Sequence, residues 1–423
     1  MSAGEVIGRG SIEGILGEEE VRELLSEAFA RRPLEDKRLL VIIPDGSRTA
    51  PIPLMFRLLY ELLGERVERL DYLIALGTHP PMSEEAIERL VGVSQRDRAR
   101  RCPKSRVYNH RWDSPDALEV VGVISRAEMS RLSAGLVVRE TPITINRLIR
   151  DYHELLICGP VFPHEVAGFS GGAKYLFPGI SGPEIIHSSH WLGALETSYD
   201  TIGVKDTSVR RVLHRAAEFV AATMPLTCLK MVVKGEELHG LYIGDYRAAW
   251  SAAADLSAKL NIIYKTRPFT NVLSIPSEIY HDLWTAAKAM YKTEPVVADG
   301  GEVIIYAPWI REISVTHGRL IERVGYHVRD YFVKQWEAFE DIPWAILAHS
   351  THVKGKGTFE GGVETPRIRV TLATAIPEEE CRQVKLGYLD HATIDPRQWR
   401  DREDEGLLLV EHAGEHLYRL ASP

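Results

Sequence analysis

An α/β protein with parallel sheets is what this sequence predicts, and three observations predict it. Short, wholly apolar runs bounded by turn residues recur along the chain, as LLVII at 39–43, and such runs suit strands buried on both faces. Each is followed by a Gly- or Pro-bearing loop and then a helical pattern, the strand–loop–helix rhythm of parallel sheets. After the polar break TRPFTN at 266–271 the rhythm restarts, which divides the chain into domains 1–266 and 267–423. The expected architecture is two Rossmann-like α/β domains, the first cofactor-binding, with the active site in the cleft between them.

The elements follow in order. Residues 18–32 carry apolar positions at helical spacing with a dense polar face, and Pro33 ends the pattern. Leu39–Ile43 is the first buried strand and 54–64 the next helix. Asp71–Leu76 reads as a second strand, with helix Ser83–Val91 behind it. The rhythm returns at Glu154–Cys158, and the long loop GPVFPHEVAGFSGGAKYLFPGISG leads from there toward a helix at about 209–222. One or two strands up to Tyr242 and a helix over 246–260 complete the first domain. In the second, NVLSIPS is a strand, 282–291 a helix and GGEVIIYAP another strand.

Composition narrows the function. The chain has 423 residues and a formal net charge of -8, with no long basic run, so a nucleic-acid footprint is not supported. Cys102, Cys158, Cys228 and Cys381 are scattered without CxxC spacing, which argues against a disulfide framework or a cysteine-rich zinc site. The N-terminus lacks the basic-then-apolar pattern of a signal peptide, and no apolar run is long enough to span a membrane. The cytoplasm is the expected compartment.

In parallel sheets the chemistry sits on loops at the carboxyl ends of strands, and DGSRTAP and GTHPPM both occupy that position. Arg48 can clamp a carboxylate through two parallel hydrogen bonds, and His79 can move a proton near neutral pH. Their plain alternatives are a loop salt bridge to Asp45 and a turn histidine. The loop at 159–182 is richer. It holds glycines 168, 171, 172, 179 and 182 around Lys174, and successive glycine amides can cradle a phosphate. It is not a nucleotide P-loop, because Lys174 lies between Ala173 and Tyr175. A mobile glycine-rich lid with a solvated lysine is the competing reading. His164, in FPHE, lacks the second histidine of HExxH. His187 with His190, and His349 with His352, form HxxH pairs that could chelate a metal.

Taken together, DGSRTAP, GTHPPM, PHEVAGFSGGAKYLFPG with the following ISGPEIIHSSH, and DLWTAAKA ahead of GGEVIIYAP resemble the nickel-dependent lactate racemase family, from residue 45 to about 308. What the resemblance implies is an isomerase, a racemase or epimerase of 2-hydroxy acids. It would use a nickel-pincer nucleotide (a pyridinium mononucleotide holding nickel through a carbon and two sulfurs) that other proteins make and load. The lysine that bonds this cofactor through a thioamide is matched by Lys174, and the histidine that ligates nickel by His190. The acid–base histidines are matched by His79 and His164. The residues contacting the substrate carboxylate are matched by Arg48 and Lys288. Asp45 belongs with the cofactor site, and Ser170, Gly171 and Gly172 would lie against the nucleotide.

The implied chemistry is coherent. The α-hydrogen of a 2-hydroxy acid is too weakly acidic for a histidine to remove as a proton. Removing it as hydride, together with the hydroxyl proton, gives a 2-keto acid, and a cofactor carries that step. The chain departs from the family at Trp284-Thr285, where members acting on lactate tend to carry Tyr-Gln, and in the replaced opening SIPSEIYHD. The departure points to an acid larger or more polar than lactate, such as malate, an aryl-lactate or a sugar acid. Two other classes compete: a non-catalytic nickel or nucleotide carrier, which has no use for His79 and His164, and a nicotinamide-dependent 2-hydroxy acid dehydrogenase, against which stands the lack of GxGxxG after the first strand.

Overall fold

A computed structural model describes residues 4–30, 32–47 and 49–421. The chain folds as two compact units. The first comprises Met1–Phe162, Phe169–Ile186 and Arg210–Leu260, and the second comprises Pro163–Gly168, His187–Val209 and Asn261–Pro423. Both are mixed α/β with parallel strands, as the sequence predicts.

The first unit is built on a seven-stranded sheet. Its order is Val6–Gly10, Glu237–Asp245, Leu226–Lys234, Glu154–Pro160, Arg38–Ile43, Arg69–Ile74 and Val107–Asn109. The last five run parallel, and the first two add an antiparallel edge. The central strands are the all-apolar runs of the sequence: Leu39 to Ile43 and Leu155 to Cys158 are buried throughout. Helices Glu18–Ala30 and Ile52–Leu63 bury Val21, Leu25, Phe29, Phe56 and Leu59 in the same core. Helix Glu84–Val91 starts where Ser83 accepts the amide of Ala86, and it ends on left-handed Gly92.

The second unit carries an all-parallel five-stranded sheet, in the order Gly387–Tyr388, Arg369–Thr374, Val297–Ala307, Phe269–Pro276 and Leu407–Ala413. Two local expectations shift. The second strand is Arg69–Ile74, because the chain turns at Ala75 and Leu76 toward left-handed Gly77. The helix expected at 282–291 is two single turns, Leu283–Ala286 and Lys288–Tyr291, the first capped by Asp282. The antiparallel hairpin Leu118–Ile124 with Thr141–Asn146 was not foreseen. Among the described residues no helix is long and apolar enough to cross a membrane.

One buried ion pair ties the strand that carries the long loop to the helix layer. Arg32 bonds Glu154 with both side chains almost fully buried, and burial pushes the guanidinium down to about 10. Thr227 donates to the same carboxylate at 3.3 Å. Replacing Arg32 with Met leaves a buried carboxylate uncompensated. The expected loss is roughly 3–5 kcal/mol, measured by urea denaturation followed by circular dichroism.

Candidate active site

In the first unit the chemistry gathers at one edge of the sheet. Arg38–Ile43 lies in register between Arg69–Ile74 and Glu154–Pro160, all parallel, so the loops leaving their carboxyl ends are neighbours. Asp45 and His79 come from the first two. Asp45 Oδ2 and His79 Nδ1 are 2.6 Å apart. An ionised carboxylate only accepts, so the ring nitrogen must donate, which leaves Nε2 as the base. The other Asp45 oxygen takes the Ser47 amide at 3.2 Å and the Ser47 hydroxyl at 2.6 Å, which fixes the carboxylate. Arg48 lies outside the described residues.

The third loop holds Lys174, half-buried on the turn Gly172–Tyr175. The turn is reached through Gly171 at φ 78° and Gly172 at φ 60°. A Cβ on Gly171 would stand 2.8 Å from Val161, and one on Gly172 2.8 Å from Trp250. Fixed donors hold the carbonyls of the approach. Arg210, fully buried, donates to Gly171 O at 3.1 Å and to Phe169 O, and its guanidinium lies 4.1 Å over the Trp250 ring. Burial lowers it to about 9. Trp250 Nε1 donates to Ser170 O at 2.8 Å. Ser170 itself is committed locally: its amide donates to Phe162 O and its hydroxyl accepts from Phe162 N. The loop's far end is pinned by Gly77 N donating to Gly179 O at 2.9 Å and by buried His110 bonding Ser181 O.

The second unit carries the remaining candidates. His164 is buried, and its Nδ1 accepts the Val166 amide at 3.1 Å, with Glu165 Oε2 3.4 Å from the same nitrogen. His190 is half-buried on helix Pro183–Glu196. Lys288 is buried with Nζ 4.3 Å over the Tyr280 ring. The Trp284 indole stacks on His349 (centroids 3.8 Å) and tilts against His317 (4.6 Å). The Thr285 hydroxyl donates to Asp282 Oδ1 at 2.7 Å, in the helix cap. Burial holds His349 well below the ordinary histidine range, and His352, His317, His190 and Lys288 push it the same way. His349, marked in the sequence only as half of an HxxH pair, and His317, marked by no motif, are therefore neighbours of the candidate residue Trp284. Among the described residues no three His, Cys, Asp or Glu side chains form a metal-holding group.

Comparison with known proteins now bears on this arrangement. The lactate racemase N-terminal domain family matches residues 15–203, and that part of the chain belongs to it. It is 22% identical over 280 residues to the lactate racemase of Lactiplantibacillus plantarum, a match covering 64% of this chain and 59% of that enzyme. A crystal structure of a Thermotoga maritima protein is 33% identical with a TM-score of 0.90, covering 98% of this chain and 100% of that one. The lactate racemase apoprotein of Thermoanaerobacterium thermosaccharolyticum shares the fold at 17% identity, with a TM-score of 0.70 and coverage of 98% and 94%.

The glycines test how far Lys174 depends on its turn. Gly172→Ala combines a left-handed backbone with an overlap against Trp250. It is expected to cost at least about 2 kcal/mol, read as a lowered midpoint in thermal denaturation, and to expose Lys174 to faster acylation by an amine-reactive probe.

Proposed function

We propose that this chain is a 2-hydroxy acid racemase or epimerase that inverts C2 by proton-coupled hydride transfer, with a nickel-pincer nucleotide tethered at Lys174 and two Rossmann-like domains as its frame. The observation that carries the reading is the Asp45–His79 pair on the same sheet edge as the Lys174 loop, in a chain whose residues 15–203 belong to the lactate racemase N-terminal domain family.

The residues fit such a group. A primary amine, half-buried on a turn whose glycines and buried Arg210 hold it in place, suits a permanent tether. His190 can supply one imidazole nitrogen to nickel, and in the absence of a protein metal cluster among the described residues the metal would bring its other ligands with it. The group, when bound, supplies a hydride acceptor, which a protein side chain does not offer. The chain's own residues then handle charge and protons. Arg48 and Lys288 hold the substrate carboxylate. His79, oriented by Asp45, takes the hydroxyl proton of one enantiomer at Nε2, and His164 serves the other. Asp45, Ser170, Gly171 and Gly172 form the protein side of the nucleotide site. Cofactor-making proteins load the chain, and the substrate is a free small acid.

Substrate preference follows from Trp284 and Thr285. The indole is wedged between two imidazoles, and the Thr285 hydroxyl already serves Asp282. An aromatic wall flanked by the imidazoles of His349 and His317 favours an acid larger or more polar than lactate: malate, an aryl-lactate or a sugar acid.

Two measurements test the reading. Protein produced with the cofactor-making enzymes is expected to carry a nucleotide-sized adduct on Lys174 and about one nickel per chain, and Lys174→Ala neither; absence of both from the parent, with a positive control loaded in the same host, refutes it. Asp45→Asn presents an amide to Nδ1 and favours the wrong tautomer of His79. It is expected to lower kcat by roughly 10²-fold or more with KM nearly unchanged, in a racemisation assay by chiral chromatography.

A further inference from the structure

A second lysine lies in the first unit, inside its sheet. Lys230, on strand Leu226–Lys234, is fully buried, and its Nζ has no hydrogen-bond partner among the described residues. Burial pulls its proton affinity down, and the charge of Arg210 acts the same way. The nearby thiols of Cys158 and Cys228 are pushed up by burial to about 12 and about 11, so they stay neutral and supply no counter-charge. An ammonium in such a place is costly, and a methionine would fill a similar volume without a charge.

What faces the ammonium is a ring. Nζ lies 4.3 Å from the centroid of Tyr175, a placement in which the negative face of the ring attracts a desolvated cation. The ring also lies against Gly159, which pairs with Lys230 in the parallel register. A Cβ on Gly159 would overlap the Tyr175 hydroxyl and stand 2.5 Å from Cζ, so a glycine leaves the room that the ring occupies. Two residues side by side in the sheet thus make one slot, close to the end of Glu154–Pro160 from which the long loop departs. Tyr175 closes the turn Gly172–Tyr175 and directly follows Lys174. The backbone beyond it is equally tight: Gly179 N donates to Lys174 O at 3.1 Å, and a Cβ on Gly179 would overlap Tyr175 O. With the ring seated and the carbonyl held, the turn has one arrangement, and the Lys174 side chain leaves it in one direction.

We propose that Lys230 is a positioning residue for Lys174: with Gly159 it grips the Tyr175 ring and so fixes the turn that presents the Lys174 amine. Its role in cofactor attachment rests on the reading of Lys174 as the tether. An amine that is to bond one partner must be aimed at it and shielded from other electrophiles, and a turn that frays does neither. Lys230 acts through the ring of Tyr175, which supplies the attraction, while the absent side chain of Gly159 supplies the space.

The test uses cofactor-free full-length protein, a limiting amount of an N-hydroxysuccinimide ester, and peptide mass mapping of each acylated lysine. Lys104, whose Nζ donates to Gly64 O and Val67 O at 2.9 Å in the same unit, is the internal reference. Lys230→Met and Tyr175→Leu are each expected to speed acylation of Lys174 about tenfold relative to Lys104, and Tyr175→Phe, which keeps the ring, to stay within about twofold of the parent. Lys230→Met placed on Tyr175→Leu is expected to add nothing further, because the lysine acts through the ring. Lys230→Gln serves, with the same expectation, where Lys230→Met does not fold. An unchanged Lys174 rate in the Lys230 variant, an equal rise at Lys104, additive rates in the double variant, or Tyr175→Phe as fast as Tyr175→Leu overturns the inference. A parent that takes no adduct at Lys174 when produced with the cofactor-making enzymes removes the tether reading and leaves the positioning of Lys174 standing on the acylation pattern.

Discussion

The parallel register of three strands governs everything else in the first unit. Arg38–Ile43, Arg69–Ile74 and Glu154–Pro160 align so that they end together, and three loops are delivered to one edge. Both faces of these strands are buried, so a slip of one residue in any of them would send every side chain into the opposite packing layer. The core that enforces the register therefore also sets the 2.6 Å approach of Asp45 to His79. The hydrophobic effect has no direction of its own; here the sheet converts it into the position of an imidazole beside a carboxylate.

The Lys174 loop obeys a different constraint, close approach of backbone to side chain. Gly171 and Gly172 sit where left-handed backbone and the nearness of Val161 and Trp250 exclude a Cβ. Arg210 is the counterpart. A fully buried cation is costly unless paired or hydrogen-bonded, and this one spends donors on the carbonyls of Phe169 and Gly171 while lying over an indole. Loop and arginine need each other, which explains a charged residue on the inner face of helix Ser208–Ala221.

Much of this was legible in the sequence, for identifiable reasons. Leu39–Ile43 and Glu154–Cys158 announce themselves because strands buried on both faces leave unbroken apolar runs. DGSRTAP, GTHPPM and the glycine loop stand out because turn residues follow those runs directly. Other features leave no local mark. Arg210 looks like any helix-surface arginine. Thr285 gives no hint that Asp282 will take its hydroxyl as part of a cap. The units interleave, with 163–168 and 187–209 grouped with the C-terminal half, and composition does not record such exchanges. The HxxH pair at 349 and 352 reads as a chelate by spacing, yet the structure stacks His349 on Trp284 and turns His352 to a recess on its own.

The two acid–base candidates show why types of residue are easier to read than their states. Both are histidines on loops, and by sequence they are equivalent. In the fold, His79 is held by a carboxylate that makes its outer nitrogen a base, whereas His164 is held by an amide that places its proton on Nε2. One therefore rests with Nε2 unprotonated and the other with Nε2 protonated. In the proposed racemase these resting states suit one direction, with His79 accepting and His164 donating, and the opposite direction requires the reverse placement of the protons. The asymmetry lies in the second partner of each ring, a carboxylate from a neighbouring strand end in one case and the next-but-one backbone amide in the other.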